Sequence, residues 1–212
     1  MTMTDEKAEP VIAFIQYAKT KGVKRFVALS ASNAPPGQRV MGVVHDRLAS
    51  LDVNYTVLRP TWYMETFSGN HASSIREEGK IYSATRDGKV SWVSTEDVGS
   101  VAHRALTNEP AENTANVLLG PELLSYDDIA RILSDVLGKP VMHVRIPLES
   151  LKIGLETYGL AQIWTQILLE METEFANNEE ARVGNGEVLR LTGRPPTTFR
   201  AWAEKNKAVW IP

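Results

Sequence analysis

The sequence predicts an α/β protein whose parallel sheet is followed by a mainly helical C-terminal part. Short apolar runs bounded by turn residues stand at 25–29 and 54–58, and such runs are typical of strands buried on both faces of a parallel sheet. The segment 39–51 between them has apolar residues at helical spacing. Strand, helix and strand in this order predict a right-handed crossover unit. Over 147–182 the apolar pattern is helical, which predicts the C-terminal part.

Most remaining elements follow from periodicity and from start and stop signals. In the first half we predict a helix at 5–20 with Val11, Phe14, Ile15 and Ala18 on one face, a loop at 33–38, a helical segment at 62–78, a hairpin of 80–83 and 90–93 around 86–88, and a helix from the cap Ser94 to about 107. In the second half we predict a strand at 116–119, a helix capped by Ser125 and ending at Leu137, a strand at 141–146, an irregular stretch at 183–193 and a helix at 199–206.

The composition is that of a globular protein with one domain, or with one large unit and a small appendage. The 212 residues are 43% hydrophobic and 23% charged, and they include no cysteine. A chain without cysteine has no disulfide framework, no thiolate metal site and no cysteine nucleophile. The four histidines share no metal-ligand spacing, so we expect no metal site.

The net charge, the first residues and the lengths of the apolar runs indicate which classes of partner the protein binds. The net charge is −3 and the basic residues are scattered, which does not predict a nucleic-acid surface. The first residues are polar, and no apolar run approaches the roughly 20 residues that span a bilayer. We therefore expect a cytoplasmic protein with neither a nucleic-acid nor a membrane partner.

Several motifs together resemble the NmrA-like branch of the atypical short-chain dehydrogenases. They are GVKRFVALSAS at 22–32, YTVLRPTWYME at 55–65, EDV at 96–98, SYDDI at 125–129 and LTGRPPTTF at 191–199. The resemblance implies a Rossmann-like fold, here truncated, with residues 1–120 as the C-terminal part of an NAD(P)-binding domain and 121–212 as a mainly helical substrate lobe.

Within that family, KIYSAT at 80–85 and LGPELL at 119–124 are similar to the festuclavine and agroclavine dehydrogenases. Those fungal enzymes reduce an iminium with NADPH in ergot alkaloid biosynthesis. The resemblance thus implies an NADPH-dependent oxidoreductase of fungal secondary metabolism whose partner is an alkaloid-like iminium or a related small metabolite.

The sequence departs from the family in two places. Family members begin with a strand, a Gly-rich turn and a helix whose N-terminus holds the cofactor pyrophosphate, and these 212 residues contain no such motif. We therefore expect NADPH to bind the chain weakly, at about millimolar concentration. The usual Tyr-x-x-x-Lys is also missing: the corresponding helix reads RVMGVVHDR at 39–47, with Met41 where many relatives carry Lys. The catalytic residues therefore stay unassigned.

Two alternatives to the enzyme follow from the missing turn. The chain is then either a cofactor-free derivative, acting as a binding partner, an isomerase or a cyclase, or a truncated copy without a function of its own. Without the first strands of the family, the sheet has an edge with open hydrogen-bonding groups. We therefore expect the isolated chain to form a homodimer or to aggregate.

The candidate site follows from the rule that parallel sheets bind ligands beyond the carboxyl ends of their strands. This rule places Ser30, Ala31, Ser32, Pro60, Thr61 and Trp62 at the ligand-binding edge, and the resemblance implies that they contact the nicotinamide end of the cofactor. The predicted substrate contacts are Tyr63, Phe67, His45, Tyr158 and Trp164. Several have an alternative structural role: the serines as strand ends and caps, and Tyr63 and Phe67 as part of a core stripe.

Overall fold

A computed structural model of the chain describes residues 3–182, 184 and 186–211. In chain order the elements are α1 (Met3–Thr20), β1 (Arg25–Leu29), α2 (Arg39–Ser50), β2 (Asn54–Pro60), a 3-10 helix (Met64–Phe67), α3 (Ala72–Glu78), β3 (Lys80–Ser83), β4 (Val90–Ser91), α4 (Thr95–Thr107), β5 (Thr114–Leu118), β6 (Leu123–Leu124), α5 (Tyr126–Leu137), β7 (Met142–Arg145), α6 (Leu148–Thr157), α7 (Gln162–Ala176), α8 (Glu187–Thr192), α9 (Phe199–Asn206) and a second 3-10 helix (Lys207–Trp210). In the described part of the chain, no helix is both long enough and apolar enough to cross a membrane.

The chain forms two compact units, each assembled from three segments. Unit 1 contains Met1–Thr61, Thr95–Leu119 and Asn185–Pro196, and unit 2 contains Trp62–Ser94, Gly120–Gly184 and Thr197–Pro212. The predicted boundary at residue 120 coincides with one of the five points where the chain passes from one unit to the other. The functional division into 1–120 and 121–212 stays a prediction, and the compact units differ from it because each combines three separate segments of the chain.

Unit 1 contains a parallel three-stranded sheet in the order β1-β2-β5. Arg25 of β1 pairs with Asn54 of β2, and Leu29 pairs with Leu58. On its other side β2 pairs in parallel with β5, ending with Pro60 opposite Leu118. The prediction that the runs 25–29 and 54–58 are adjacent parallel strands joined by a helix is confirmed.

The core of unit 1 is built by α1 and α2 together with β2. Its buried apolar side chains are Ala8, Ile12, Ile15, Val44, Leu48, Val53 and Val57. The predicted inner face of α1 is only partly right, since Ile15 is buried while Val11 and Phe14 are exposed. The buried stripe runs through Ala8, Ile12 and Ile15, so small differences in helix rotation decide which apolar side chains reach the core.

Unit 2 contains two short two-stranded sheets instead of the predicted hairpin. β3 pairs in parallel with β7, and β4 pairs antiparallel with β6. The hairpin prediction is wrong because Glu172 of α7 and Asn178, two residues after α7, bind the backbone between β3 and β4. The amide of Ala84 donates to Glu172 at 2.7 Å and the amide of Lys89 donates to Asn178 at 2.9 Å. Gly88 lies so close to the backbone of Phe175 that a Cβ there would be 2.0 Å from the Phe175 carbonyl oxygen.

Two further element predictions need correction. The helix predicted over 62–78 is interrupted, with a 3-10 turn at Met64–Phe67 and α3 only from Ala72. The stretch predicted as irregular over 183–193 contains the one-and-a-half-turn helix α8, while residues 183 and 185 lie outside the described residues. Left-handed glycines, Gly186 and Gly193, stand at both ends of α8, and such short helices give little periodic signal.

The core of unit 2 is unusually rich in aromatic side chains. Those below 2% exposure are Phe67, Trp92, Tyr126, Phe175, Phe199 and Trp210. Ring centroids of neighbouring members lie about 5–6 Å apart, mostly in edge-to-face arrangements, a favourable geometry for aromatic pairs. The helix α5 that supplies Tyr126 begins with the predicted cap, since Ser125 and Asp128 form a reciprocal capping box.

Candidate functional site

The carboxyl ends of the three strands of unit 1 form one continuous edge. The amide of Ser30 donates to Leu58 O at 2.7 Å, and the amide of Ser32 donates to Pro60 O at 2.9 Å. The amide of Thr61 donates to Leu118 O at 3.1 Å. Hydrogen bonding therefore continues past the strand ends, so the predicted residues 30–32 and 60–61 lie along the same edge.

Arg59 fixes the chain segment that follows β1. Its Nε donates to Ala31 O at 3.2 Å, and its Nη2 donates to Ser32 O at 2.6 Å. A guanidinium presents several donors in one rigid plane and can hold two carbonyls at once. The list of predicted contact residues did not include Arg59, although its place in the Leu-Arg-Pro part of the 55–65 motif puts it at this edge.

The Ser30 hydroxyl is a predicted site group that lacks a protein hydrogen-bond partner in the described part of the chain. Its Oγ is buried and has no hydrogen-bond partner among the residues that the structure describes. A buried hydroxyl without a partner is costly, and a ligand carboxamide, which both donates and accepts, would satisfy it. The residues at this edge therefore fit the nicotinamide end of a dinucleotide.

His45 lies on α2 and faces inward in unit 1. Its side chain is buried, and its ring centroid lies 6.0 Å from that of Tyr55. Burial is the largest influence on its pKa and lowers it; Asp46 acts in the opposite direction, and Arg59 lowers it further. Its Nδ1 has no hydrogen-bond partner among the described residues. His45 is therefore a neutral ring near neutral pH.

The predicted site residues in unit 2 have different environments. Trp62 packs between Trp92 and Phe175, with ring centroids 5.9 and 5.1 Å away. Tyr63 is partly buried, and its pKa is raised by burial and by Glu65. The remaining candidates range from core to surface: Phe67 is completely buried, whereas Trp164 is 58% and Tyr158 94% exposed. The structure gives Phe67 a packing role and leaves Tyr158 without a surrounding pocket wall.

A buried polar cluster in unit 2 escaped the sequence prediction. His143 Nε2 lies 2.8 Å from Ser83 Oγ, which lies 2.7 Å from Thr85 Oγ1. Asp127 Oδ1 lies 3.4 Å from His143 Nδ1. The order Ser, His, Asp resembles a hydrolytic triad, but Ser83 is only 1% exposed, so an acyl substrate would not reach its hydroxyl. The cluster is an internal hydrogen-bond network.

Glu172 of α7 is the second group that the sequence did not reveal. Its Oε2 accepts the hydrogen bond from the Ala84 amide at 2.7 Å. Burial raises the pKa of this carboxyl to about 7, against a smaller lowering by the Ala84 amide. No local pattern pointed to it, because Ala84 and Glu172 are 88 residues apart in the chain.

A parallel sheet whose strands β1 and β2 are connected by the helix α2 is the arrangement of a Rossmann-like α/β protein. Residues 39–201 match the model of the NmrA-like family. Agroclavine dehydrogenase of Claviceps fusiformis is 43% identical, with 96% of this chain and 72% of that enzyme covered. Festuclavine dehydrogenase of Aspergillus fumigatus is 42% identical, with 97% and 72% covered.

A solved structure supports the same assignment. Triphenylmethane reductase of Citrobacter sp., complexed with NADP(H), superposes with a TM-score of 0.77 and 25% identity, covering 92% of this chain and 69% of that one. The chain belongs to the NmrA-like family.

Proposed function

We propose that this chain is an NADPH-dependent oxidoreductase that reduces an iminium intermediate in alkaloid biosynthesis. The observation that carries the proposal is the identity of 42–43% with agroclavine and festuclavine dehydrogenases over nearly the whole chain. The related reductase structure that contains NADP(H) supports the choice of a nicotinamide cofactor.

The carboxyl edge of the unit 1 sheet would hold the nicotinamide end of the cofactor. Ser30 Oγ would hydrogen-bond the carboxamide, because it is the buried hydroxyl without a protein partner. Arg59 acts as a positioning residue, since it holds the carbonyls of Ala31 and Ser32 and so the loop next to Ser30. When bound, NADPH supplies the hydride. The expectation that NADPH binds weakly to these 212 residues stays a prediction.

The proposed reaction does not need an acid catalyst. An iminium already carries the positive charge, so hydride addition to its carbon neutralises the substrate and requires no proton from the protein. A neutral His45 is compatible with this chemistry, because a protonated imidazole near a cationic substrate would repel it. The protein then contributes mainly position and exclusion of water.

The test is a direct assay of NADPH oxidation. We expect loss of absorbance at 340 nm when the chain, millimolar NADPH and 2-methyl-3,4-dihydroisoquinolinium are mixed. Ser30→Ala should raise the KM for NADPH about tenfold, the equivalent of one lost hydrogen bond of about 1.4 kcal/mol. Ser73→Ala, at an exposed serine of α3, is the matched control and should behave as the wild type. A wild-type chain that oxidises no NADPH under these conditions would contradict the proposal.

A further inference from the structure

Two sequence motifs, at 96–98 and 191–199, contribute no residue to the proposed cofactor edge, yet they meet in unit 1. The first motif lies in the first turn of α4, and the second begins at the end of α8. The two helices pack against each other. An open groove of about 420 Å³ lies between them, and its lining residues are Glu96, Gly99, Ser100, His103, Arg104, Thr192 and Arg194.

The end of α8 holds Arg194 at this groove. Gly193 ends the helix in the left-handed conformation, with φ 72° and ψ 5°, which glycine adopts without strain. The Thr192 hydroxyl accepts from the Arg194 amide at 3.2 Å and donates to Val188 O at 2.6 Å. The Arg194 side chain reaches α4, where its Nη2 donates to Ser100 Oγ at 2.9 Å. Contacts with both helices therefore fix the position of this guanidinium group.

The second cation of the groove comes from α4. Ser100 and Arg104 are four residues apart, so their side chains are neighbours on one face of the helix. His103 is three residues from Ser100 and lies along the same face. A Cβ at Gly99 would have no atom within 4 Å, so the groove is open there. The guanidinium of Arg194, held at Ser100, and the side chain of Arg104 thus belong to successive turns of one surface.

Neither guanidinium is neutralised by a carboxylate of the described residues. Arg194 donates to a hydroxyl, and the Arg104 side chain has no hydrogen bond or ion pair in that part of the chain. Two carboxylates of unit 1 bind Arg190 of α8 instead, at 2.8 and 3.4 Å. Among the lining residues the one carboxylate is Glu96, eight residues before Arg104 and so about 12 Å away along the helix axis. The part of the groove around Arg104 therefore carries excess positive charge.

These groups match a phosphate monoester. Near neutral pH a phosphate monoester carries a charge of about −1.5 to −2, which is comparable to the charge of two guanidinium groups. Guanidinium forks bind phosphate oxygens through paired N–H groups, and the imidazole of His103 adds a donor. The groove volume of about 420 Å³ lies in the range of small-molecule sites, roughly 300–1,000 Å³. It therefore has room for the organic part of a small phosphorylated molecule.

We propose that the groove between α4 and α8 binds the phosphate group of a small metabolite, with Arg104 and Arg194 holding the phosphate oxygens. The net charge of −3 and the scattered basic residues do not extend this positive surface into the track that a nucleic acid needs. The groove shares no residue with the carboxyl edge assigned to nicotinamide. The inference therefore goes beyond the proposed function and does not depend on it.

The test compares two probes that have the same ring and different anionic groups. Phenyl phosphate and benzoate are titrated into the wild type at pH 7.5 and constant ionic strength, and nuclear magnetic resonance follows the backbone amides. With phenyl phosphate we expect saturable shifts at 99–104 and 192–194, and for benzoate a Kd about tenfold higher. Shifts that do not saturate, shifts confined to other segments, or equal affinities for the two probes would overturn the proposal.

Arg104→Gln is the main variant, because removing this charge breaks no hydrogen bond or ion pair of the described residues. We expect it to raise the Kd for phenyl phosphate about tenfold, as for the loss of one charge-assisted hydrogen bond. Arg47→Gln, at an exposed position of α2, removes the same charge elsewhere and should leave the Kd unchanged. Equal weakening in both variants would show a response to net charge alone and would overturn the site. The dispersion of the amide signals checks that each variant is folded.

The failure of this proposal is distinguishable from the failure of the proposed function. Arg104→Gln should oxidise NADPH with the wild-type KM, since Arg104 is not part of the carboxyl edge. A raised KM for NADPH in Arg104→Gln would assign the groove to a phosphate of the cofactor and overturn a separate metabolite site. Phenyl phosphate binding that depends on Arg104, without any NADPH oxidation by the wild type, supports the groove and contradicts the proposed function.

Discussion

The imidazole Nε2 of His143 lies 2.8 Å from the hydroxyl Oγ of Ser83 on the adjacent parallel strand. The His143 side chain is fully buried, so this contact is the one that satisfies its ring. The other nitrogen, Nδ1, lies 3.4 Å from Asp127 Oδ1, and the geometry falls short of a hydrogen bond. Buried polar groups that hold a single partner depend strongly on that partner.

Replacing Ser83 should therefore destabilise unit 2 more than its size suggests. We expect Ser83→Ala to lower the free energy of unfolding by about 1–3 kcal/mol, because a buried imidazole nitrogen loses its partner. Urea unfolding measures the change, and Ser73→Ala, at an exposed site, serves as the control. Equal midpoints for Ser83→Ala and the wild type would show that the histidine finds another partner.

Glu172 should make the stability depend on pH in a defined direction. Its pKa is about 7 in the folded chain and 4.5 in the unfolded chain. Below pH 4.5 both states are protonated. As pH rises from 4.5 to 7 the unfolded state loses the proton first, so stability falls by about 2–3 kcal/mol and is constant above 7. Glu172→Gln removes this loss, so its advantage over the wild type should grow from pH 4.5 to pH 7 in urea unfolding. An advantage that is the same at both pH values would contradict the raised pKa.

The contact between Ser83 and His143 is an example of what the sequence could not predict. Ser83 and His143 are 60 residues apart, and each by itself is a common residue on a short strand. Their meeting depends on the pairing of β3 with β7, which replaced the predicted hairpin because Glu172 and Asn178 take up backbone groups between β3 and β4. Long-range pairing of short strands leaves no periodic trace in the sequence.

The sequence predicted correctly those features that depend on short segments of the chain, such as strand pairing across one connecting helix and helix capping. The apolar runs of β1 and β2 predict adjacent parallel strands, and the structure pairs them in that way. The expected burial on both faces is right for most of β2 and wrong for β1, which is only partly buried and ends at Leu29, 54% exposed. Ser125 and Asp128 mark the start of α5 at the predicted position. The carboxyl-edge rule likewise places Ser30 and Thr61 on one edge, but it does not show that the Arg59 side chain reaches from the strand to the loop after β1.

His71 should make the stability fall in acid. It is a largely buried histidine stacked on Phe67, and burial lowers its pKa to about 4. As pH falls from 6.5 to 4 the unfolded chain takes up the proton first, so about 2–3 kcal/mol of stability is lost in that range. We expect His71→Gln to be less stable than the wild type at pH 7 and to lose less stability on going to pH 4. His103→Gln, at an exposed position of α4, should keep the wild-type slope; a wild-type slope in His71→Gln would contradict this prediction.

Replacing Arg59 tests whether this side chain acts by holding the loop after β1 or only through its positive charge. Arg59→Lys keeps the positive charge but replaces the planar fork by a single ammonium, which does not reproduce the two bonds to Ala31 O and Ser32 O. We expect faster hydrogen exchange of the amides in 30–33, a loss of about 1–2 kcal/mol in unfolding free energy, and a KM for NADPH raised about tenfold. Arg47→Lys, at an exposed position of α2, should change none of these. If Arg59→Lys leaves both the exchange rates and the KM for NADPH unchanged, the loop after β1 is held by other contacts and Arg59 has no positioning role. If exchange is faster and the KM is unchanged, Arg59 holds the loop but the loop does not contribute to NADPH binding.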